Sequence, residues 1–139
     1  MEWTRHRSCW ERYRRAFVRA DVPALVGGFA FPLQVVSAAD GDASISMAQA
    51  EEWPGVLERL LGVYQRLGVA DCVPAAVEIT ELMDTGAVVQ VQWALQREDR
   101  QPVYDFTAVY ILALVEGRLQ IVAIAHDEFP RMQAALQGS

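Results

Sequence analysis

Apolar and polar residues alternate along four successive runs in the C-terminal half of the chain. These are AAVEITELM (75–83), AVVQVQWALQR (87–97), VYDFTAVYILALV (103–115) and LQIVAIAH (119–126). Side chains on a strand point to opposite faces with period two, so alternation of this length predicts strands. The segments between them, Asp84-Thr85-Gly86, Glu98-Asp99-Arg100 and Glu116-Gly117, are turn chemistry short enough to join antiparallel neighbours.

The period changes ahead of this ladder. Trp3, His6, Trp10, Tyr13, Phe17 and Ala20 recur every three or four residues, which predicts an amphipathic helix with arginines on its other faces. Asp21 is placed to cap a short second helix with Pro23 in its first turn, and Gly27-Gly28 ends it. Phe31 to Ser37 and Ala43 to Met47 read as strands around the hairpin signal Ala39-Asp40-Gly41-Asp42. Trp53-Pro54 opens a further helix whose apolar stripe is Val56, Leu57, Leu60, Leu61, Tyr64 and Leu67, with Gly68 as its stop. Ala48 to Glu52 is either a preceding turn or part of that helix. Asp127 to Gln137 reads as a short terminal helix or tail. The order predicts a single α+β domain over residues 1–139, with helices packed on one side of a curved, mainly antiparallel sheet.

Turn lengths set an expected register. A two-residue turn at Glu116-Gly117 puts Val115 opposite Arg118 and Tyr110 opposite Ala123, and a loop at Glu98 to Gln101 puts Trp93 opposite Phe106. One face then carries Val77, Ile79, Val89, Val91, Trp93, Leu95, Tyr104, Phe106, Tyr110, Leu112, Leu114, Leu119 and Ile121, bulky enough to meet the helices. The other carries Gln90, Gln92, Ala94, Gln96, Asp105, Thr107, Val109, Ile111, Ala113, Gln120, Val122, Ile124 and His126. Aliphatics among glutamines, with little charge, have the composition of a subunit interface. A homodimer through Val109, Ile111, Val122 and Ile124 is therefore expected.

Composition narrows the partners. Of 139 residues 53% are hydrophobic, slightly above the roughly 45–50% of ordinary globular chains, as pocket lining or a subunit contact would require. All 12 basic residues are arginine, and six lie in the first 19 positions, where only Glu2 and Glu11 of the 18 acids oppose them. The rest of the chain is acidic, which argues against a broad nucleic-acid surface, and the arginine-rich start reads as a solvated helix face. No apolar run approaches a membrane span, and no secretory leader is evident, so a soluble cytoplasmic protein is expected. Cys9 and Cys72 have neither metal-ligand nor disulfide-framework spacing, so both read as reduced and packed, with Cys72 in a loop before Pro74. No cofactor and no metal are expected, since no H-x-H or facial-triad spacing occurs.

Trp10-Glu11-Arg12-Tyr13 leads into Ala20-Asp21-Val22-Pro23-Ala24-Leu25, and a later helix ends Tyr64-Gln65-Arg66-Leu67-Gly68-Val69. A long strand with Tyr110-Ile111-Leu112 then precedes Glu116-Gly117-Arg118-Leu119-Gln120-Ile121-Val122. In this order, over nearly the whole chain, these motifs resemble the nuclear transport factor 2-like superfamily. That superfamily has a cone-shaped, cystatin-like α+β fold, shared with ketosteroid isomerase and small polyketide cyclases of the SnoaL type. The resemblance implies dimerisation through the sheet and a pocket between sheet and helices. It places Tyr13 where ketosteroid isomerases carry an oxyanion-hole tyrosine. It also places Ser37 where they carry the general base, and gives their second carboxylic acid no counterpart near Val109-Tyr110. The superfamily includes both enzymes and binders, so fold alone does not choose.

Individual residues leave three readings open. Trp10, Tyr13, Phe17, Phe31, Trp93, Phe106 and Tyr110 either line a hydrophobic pocket, making a small-molecule-binding protein, or fill the cone as the core of an interaction module. In an enzyme of isomerase, cyclase or dehydratase type, Tyr13 is the hydrogen-bond donor and His6 or His126 the proton acceptor. His6 on the apolar stripe is equally a packing residue. On the expected register His126 lies at the dimer rim beside Thr107, and His126-Asp127-Glu128 does not converge, because neighbouring strand residues point apart. Asp105 is expected to be solvated or paired across the dimer.

Overall fold

The computed structural model describes residues 11–39 and 41–138. Helix α1 runs through 11–18, so the part of the predicted first helix that carries Trp3, His6 and Trp10 lies outside the described residues, as does Cys9. Helix α2 is Val22–Val26, capped as expected by the Asp21 carboxylate, which accepts the Ala24 N–H at 3.2 Å. Strands β1 (Phe29–Ala39) and β2 (Asp42–Ala48) form the predicted hairpin. Helix α3 is Trp53–Leu67, with Pro54 in its first turn. Gly68 ends it in a left-handed conformation (φ 77°), which lets Val69 N–H reach back to the Tyr64 carbonyl at 2.9 Å. The ambiguous segment before α3 is a turn: Trp53 N–H donates to the Gln49 carbonyl, and Gln49 N–H to the Glu52 side chain, each at 3.1 Å.

Strands β3 (Asp71–Met83), β4 (Gly86–Gln96), β5 (Pro102–Val115) and β6 (Arg118–His126) follow, and α4 (Glu128–Gln137) closes the chain. All six strands form one sheet in the order β2-β1-β6-β5-β4-β3. The pairs β3–β4, β4–β5 and β5–β6 are antiparallel as predicted, whereas β1 lies parallel to β6, making the sheet mixed. Trp93 pairs with Phe106 and Val115 with Arg118, both at the expected register.

Two expectations are corrected. Cys72 is not in a loop: β3 begins at Asp71, opposite Gln96, so that Cys72 pairs with Leu95 and Pro74 with Trp93. Pro74 is tolerated because β3 is the edge of the sheet, and the ladder is irregular at the next residue. The second correction changes a face. Leu112 pairs with Ile121 but Ile111 pairs with Ala123, so Val122 is an extra residue and Tyr110 meets Ile124 rather than Ala123. Strand β1 slips against β6 at the same level, between Phe29 and Gln34, across Pro32, which has no N–H for a ladder. A one-residue slip reverses every later side chain. Ile124 and His126 therefore turn toward the helices, not toward the outer face where the expected register put them.

The inner face of the sheet meets the helices in one core. Leu33, Val89, Val91, Leu112 and Ile121 are fully buried there, with Leu25 of α2 and Leu57 of α3 packed on them. Arg14 joins α1 to the start of β3 through a two-pronged contact with Asp71, the shorter arm being 2.8 Å. Asp105 pairs within the chain, 3.6 Å from Arg131 of α4. No helix among the described residues is long and apolar enough to cross a membrane.

Candidate functional site

The helices do not fill the concave side of the sheet. Between the inner faces of β1, β4, β5 and β6 and helices α1, α3 and α4 lies a cavity of about 640 Å³. Its inner wall is made by Trp93, Leu95, Phe106, Ala108, Tyr110 and Ile124, all buried. Ser44, Ser46, Glu52, Arg59 and Phe129, all exposed, stand at its mouth.

Tyr13 is at the centre of an aromatic cluster, with ring centroids 4.9 Å from Phe17, 6.0 Å from Tyr110 and 6.2 Å from Trp93. The Trp93 indole N–H donates to the Tyr110 hydroxyl at 2.8 Å, and the Tyr13 ring meets that of Tyr110 edge to face. The Tyr13 ring is half-buried but its hydroxyl end is enclosed, and burial pushes its pKa far up, as it does that of Tyr110. Both phenols stay protonated and act only as hydrogen-bonding groups.

The ionisable centre of the cavity is Glu128, the first residue of α4. Its Oε2 accepts the Tyr104 hydroxyl at 2.8 Å and the Tyr64 hydroxyl in a short hydrogen bond. Burial raises its pKa from 4.5 to about 7, against the lowering effect of the two phenols. The same burial and the carboxylate raise both tyrosines, so their protons remain aimed at Oε2. Oε1 accepts no hydrogen bond among the described residues.

His126 lines the same cavity and is held at both nitrogens. The Glu128 backbone N–H donates to Nδ1 at 3.1 Å, so the neutral ring carries its proton on Nε2, which donates to Ser37 Oγ at 3.1 Å. Burial lowers its pKa, and the only basic lone pair already accepts a hydrogen bond. His126 is therefore a poorly placed proton acceptor. Ser37, which the resemblance aligns with a general base, faces the cavity as the partner of this ring. Cys72 lines the cavity too, but burial pushes its thiol up to about 12, which removes it as a nucleophile at neutral pH. Trp53, only 7% exposed, contributes a wall, and its buried indole N–H has no hydrogen-bond partner among the described residues.

Of the residues singled out in the sequence, Tyr13, Phe17, Trp93, Phe106, Tyr110 and His126 line the cavity. Phe31 packs against the core without lining it, and Trp10 and His6 lie outside the described residues. Among the described residues no three His, Cys, Asp or Glu side chains come together as a metal site. Sequence reasoning missed Glu128, Tyr64 and Tyr104 as a unit. Glu128 stands at the start of α4, two residues beyond the end of β6, where strand alternation no longer says which way a side chain turns.

A family model described as "NTF2-like protein (DUF6841)" matches residues 6–129. No curated protein matches the chain by sequence. Among solved structures, an NTF2-like protein of unknown function from Shewanella oneidensis is 17% identical with a TM-score of 0.72, covering 91% of this chain and 99% of its own. A Nostoc punctiforme protein of unknown function with a cystatin-like fold is 12% identical, TM-score 0.68, covering 89% and 88%. A Shewanella frigidimarina protein provisionally named a ketosteroid isomerase is 13% identical, TM-score 0.66, covering 86% and 92%. At these identities the likeness is one of fold.

Proposed function

This chain belongs to the NTF2-like family described as DUF6841, and from that premise we propose that it binds a small, largely apolar molecule between the helices and the sheet. The observation that carries the reading is the cavity itself. About 640 Å³ with aromatic and aliphatic walls falls within the roughly 300–1,000 Å³ typical of small-molecule sites. A cone packed solid, as an interaction module requires, is not what the described residues form.

The test is titration with acetylnaphthalene, an aromatic ketone, followed by tryptophan fluorescence, since Trp53 and Trp93 line the cavity. Saturable quenching is expected in the wild type. Ala108→Leu, which pushes a larger side chain from the buried wall into the space, is expected to weaken binding at least tenfold while thermal unfolding stays cooperative. Quenching that never saturates, or that is indifferent to Ala108→Leu, would reject the reading.

The reading includes a homodimer through the outer face of the sheet. With Ile124 turned inward, Val109, Val122 and the 42% exposed Ile111 remain on that face, beside Gln90 and Gln92. Apolar surface rimmed by amides is the composition that supports it. Light scattering coupled to size exclusion should give twice the chain mass for the wild type and the chain mass for Ile111→Arg. A wild-type monomer at micromolar concentration sinks the dimer without touching the cavity.

A further inference from the structure

We propose that Glu128 is the proton-transfer group of this cavity, exchanging a proton through Oε1 with a carbon acid, a C–H beside a carbonyl or imine, on the bound molecule. The inference rests on the binding reading above and adds chemistry to it. Its basis is the division of labour between the two carboxylate oxygens. Tyr64 from α3 and Tyr104 from β5 both donate to Oε2, which leaves the acid proton no good seat there. When Glu128 is protonated, the proton sits on Oε1; when it is ionised, Oε1 carries the lone pair without a donor among the described residues. The phenols thus select the atom that gains and loses the proton. Tyr64 and Tyr104 are positioning residues, and Glu128 is the catalytic one.

The surroundings hold Glu128 near the balance point. Facing it are Tyr64 of α3, Tyr104 and Tyr110 of β5, Tyr13 of α1 and Cys72 of β3, all of them neutral at physiological pH because burial raises each one. His126 of β6 is neutral and receives the Glu128 backbone N–H. The charges nearby on its own element are Asp127, which raises Glu128 further, and Arg131, spent on Asp127 at 3.8 Å and on Asp105. Among the described residues no cation therefore locks the carboxylate in its charged form, and both forms are populated near neutrality.

The step needs no co-reactant. Oε1 removes the proton, the C–H electron pair becomes a C=C bond, and the carbonyl π pair moves to oxygen. Returning the proton to a different carbon of the same delocalised system regenerates Glu128 as carboxylate and leaves the substrate isomerised.

The experiment uses 5-nitrobenzisoxazole, a flat apolar carbon acid. Removal of the one C–H proton of its isoxazole ring turns that electron pair into the second π bond of a nitrile, breaks the N–O bond and releases a coloured nitrophenolate. Saturable turnover is expected, rising with pH through a midpoint near 7. Glu128→Gln should lower it about a hundredfold, the scale of one positioned base. Tyr104→Phe removes a donor that favours the carboxylate, so it should move the midpoint to higher pH, a shift that a merely structural role does not produce. The Tyr104→Phe profile is read in folded protein and stands even if Glu128→Gln fails to fold. Fluorescence separates the two failures. The reagent bound without pH-dependent turnover, turnover unchanged in Glu128→Gln, or an unmoved midpoint in Tyr104→Phe overturns the proton-transfer inference and leaves the binding reading standing. No binding of this reagent or of the aromatic ketone overturns both.

Discussion

Glu128→Gln is expected to become steadily more stable relative to the wild type as pH rises, by roughly 3 kcal/mol between pH 4 and 8. Folding raises the pKa of this carboxyl from 4.5 to about 7, so the folded state holds the proton more tightly than the unfolded chain. The stability this group contributes is complete below its unfolded value and is lost as pH climbs through the folded one. At pH 8 the wild type carries a buried anion that, among the described residues, two phenol donors stabilise, whereas glutamine is neutral at every pH. His126 works in the opposite sense. Burial lowers its pKa, so its contribution is intact above its unfolded value of 6.5 and is lost as pH falls below that. The two slopes partly cancel in the wild type, and a single stability curve would hide both. Urea denaturation of wild type and variant side by side isolates Glu128. A difference that stays flat with pH would mean that the carboxyl titrates like an exposed one.

Leu112→Ala should cost roughly 3 kcal/mol, and Ile111→Ala, one residue away, less than about 1 kcal/mol in the monomer. Leu112 is fully buried against Ile121 on the inner face, where truncation leaves a void that the sheet cannot close. Ile111 points to the opposite side, where water replaces the lost methyl groups. Denaturation at low protein concentration reads the monomer values. At high concentration a dimer through the outer face would make Ile111→Ala costlier and leave the Leu112→Ala difference unchanged. Equal losses for the two variants at low concentration would contradict the two-sided sheet.

Much of the scaffold was legible in local patterns. Helix α3 announced itself through Pro54, its apolar stripe and Gly68, all of which operate within a few residues of one another. Trp93 opposite Phe106 followed from alternation plus loop length. The site was legible only in part. Tyr13, Phe17, Trp93, Phe106 and Tyr110 could be nominated as wall residues because bulky aromatics on the inner parity of a strand or helix have few other places to go. The carboxylate was not legible. Glu128 follows a strand in an ordinary helix-start position, where an acid usually meets solvent and the helix dipole. Its burial depends on Tyr64, 64 positions earlier in the chain, and on Tyr104, 24 positions earlier.

Alternation, helical periodicity and turn chemistry are local, and from them alone came the element order, the greasy inner face and the aromatic wall. Which way β6 presents its last residues was settled elsewhere. That strand pairs with β5 on one side and with β1 on the other, and both ladders slip near Val122. A strand read from its own residues has no access to a constraint imposed by two neighbours at once. One extra residue there turned His126 from the outer face to the cavity, where its ring accepts the backbone N–H of Glu128.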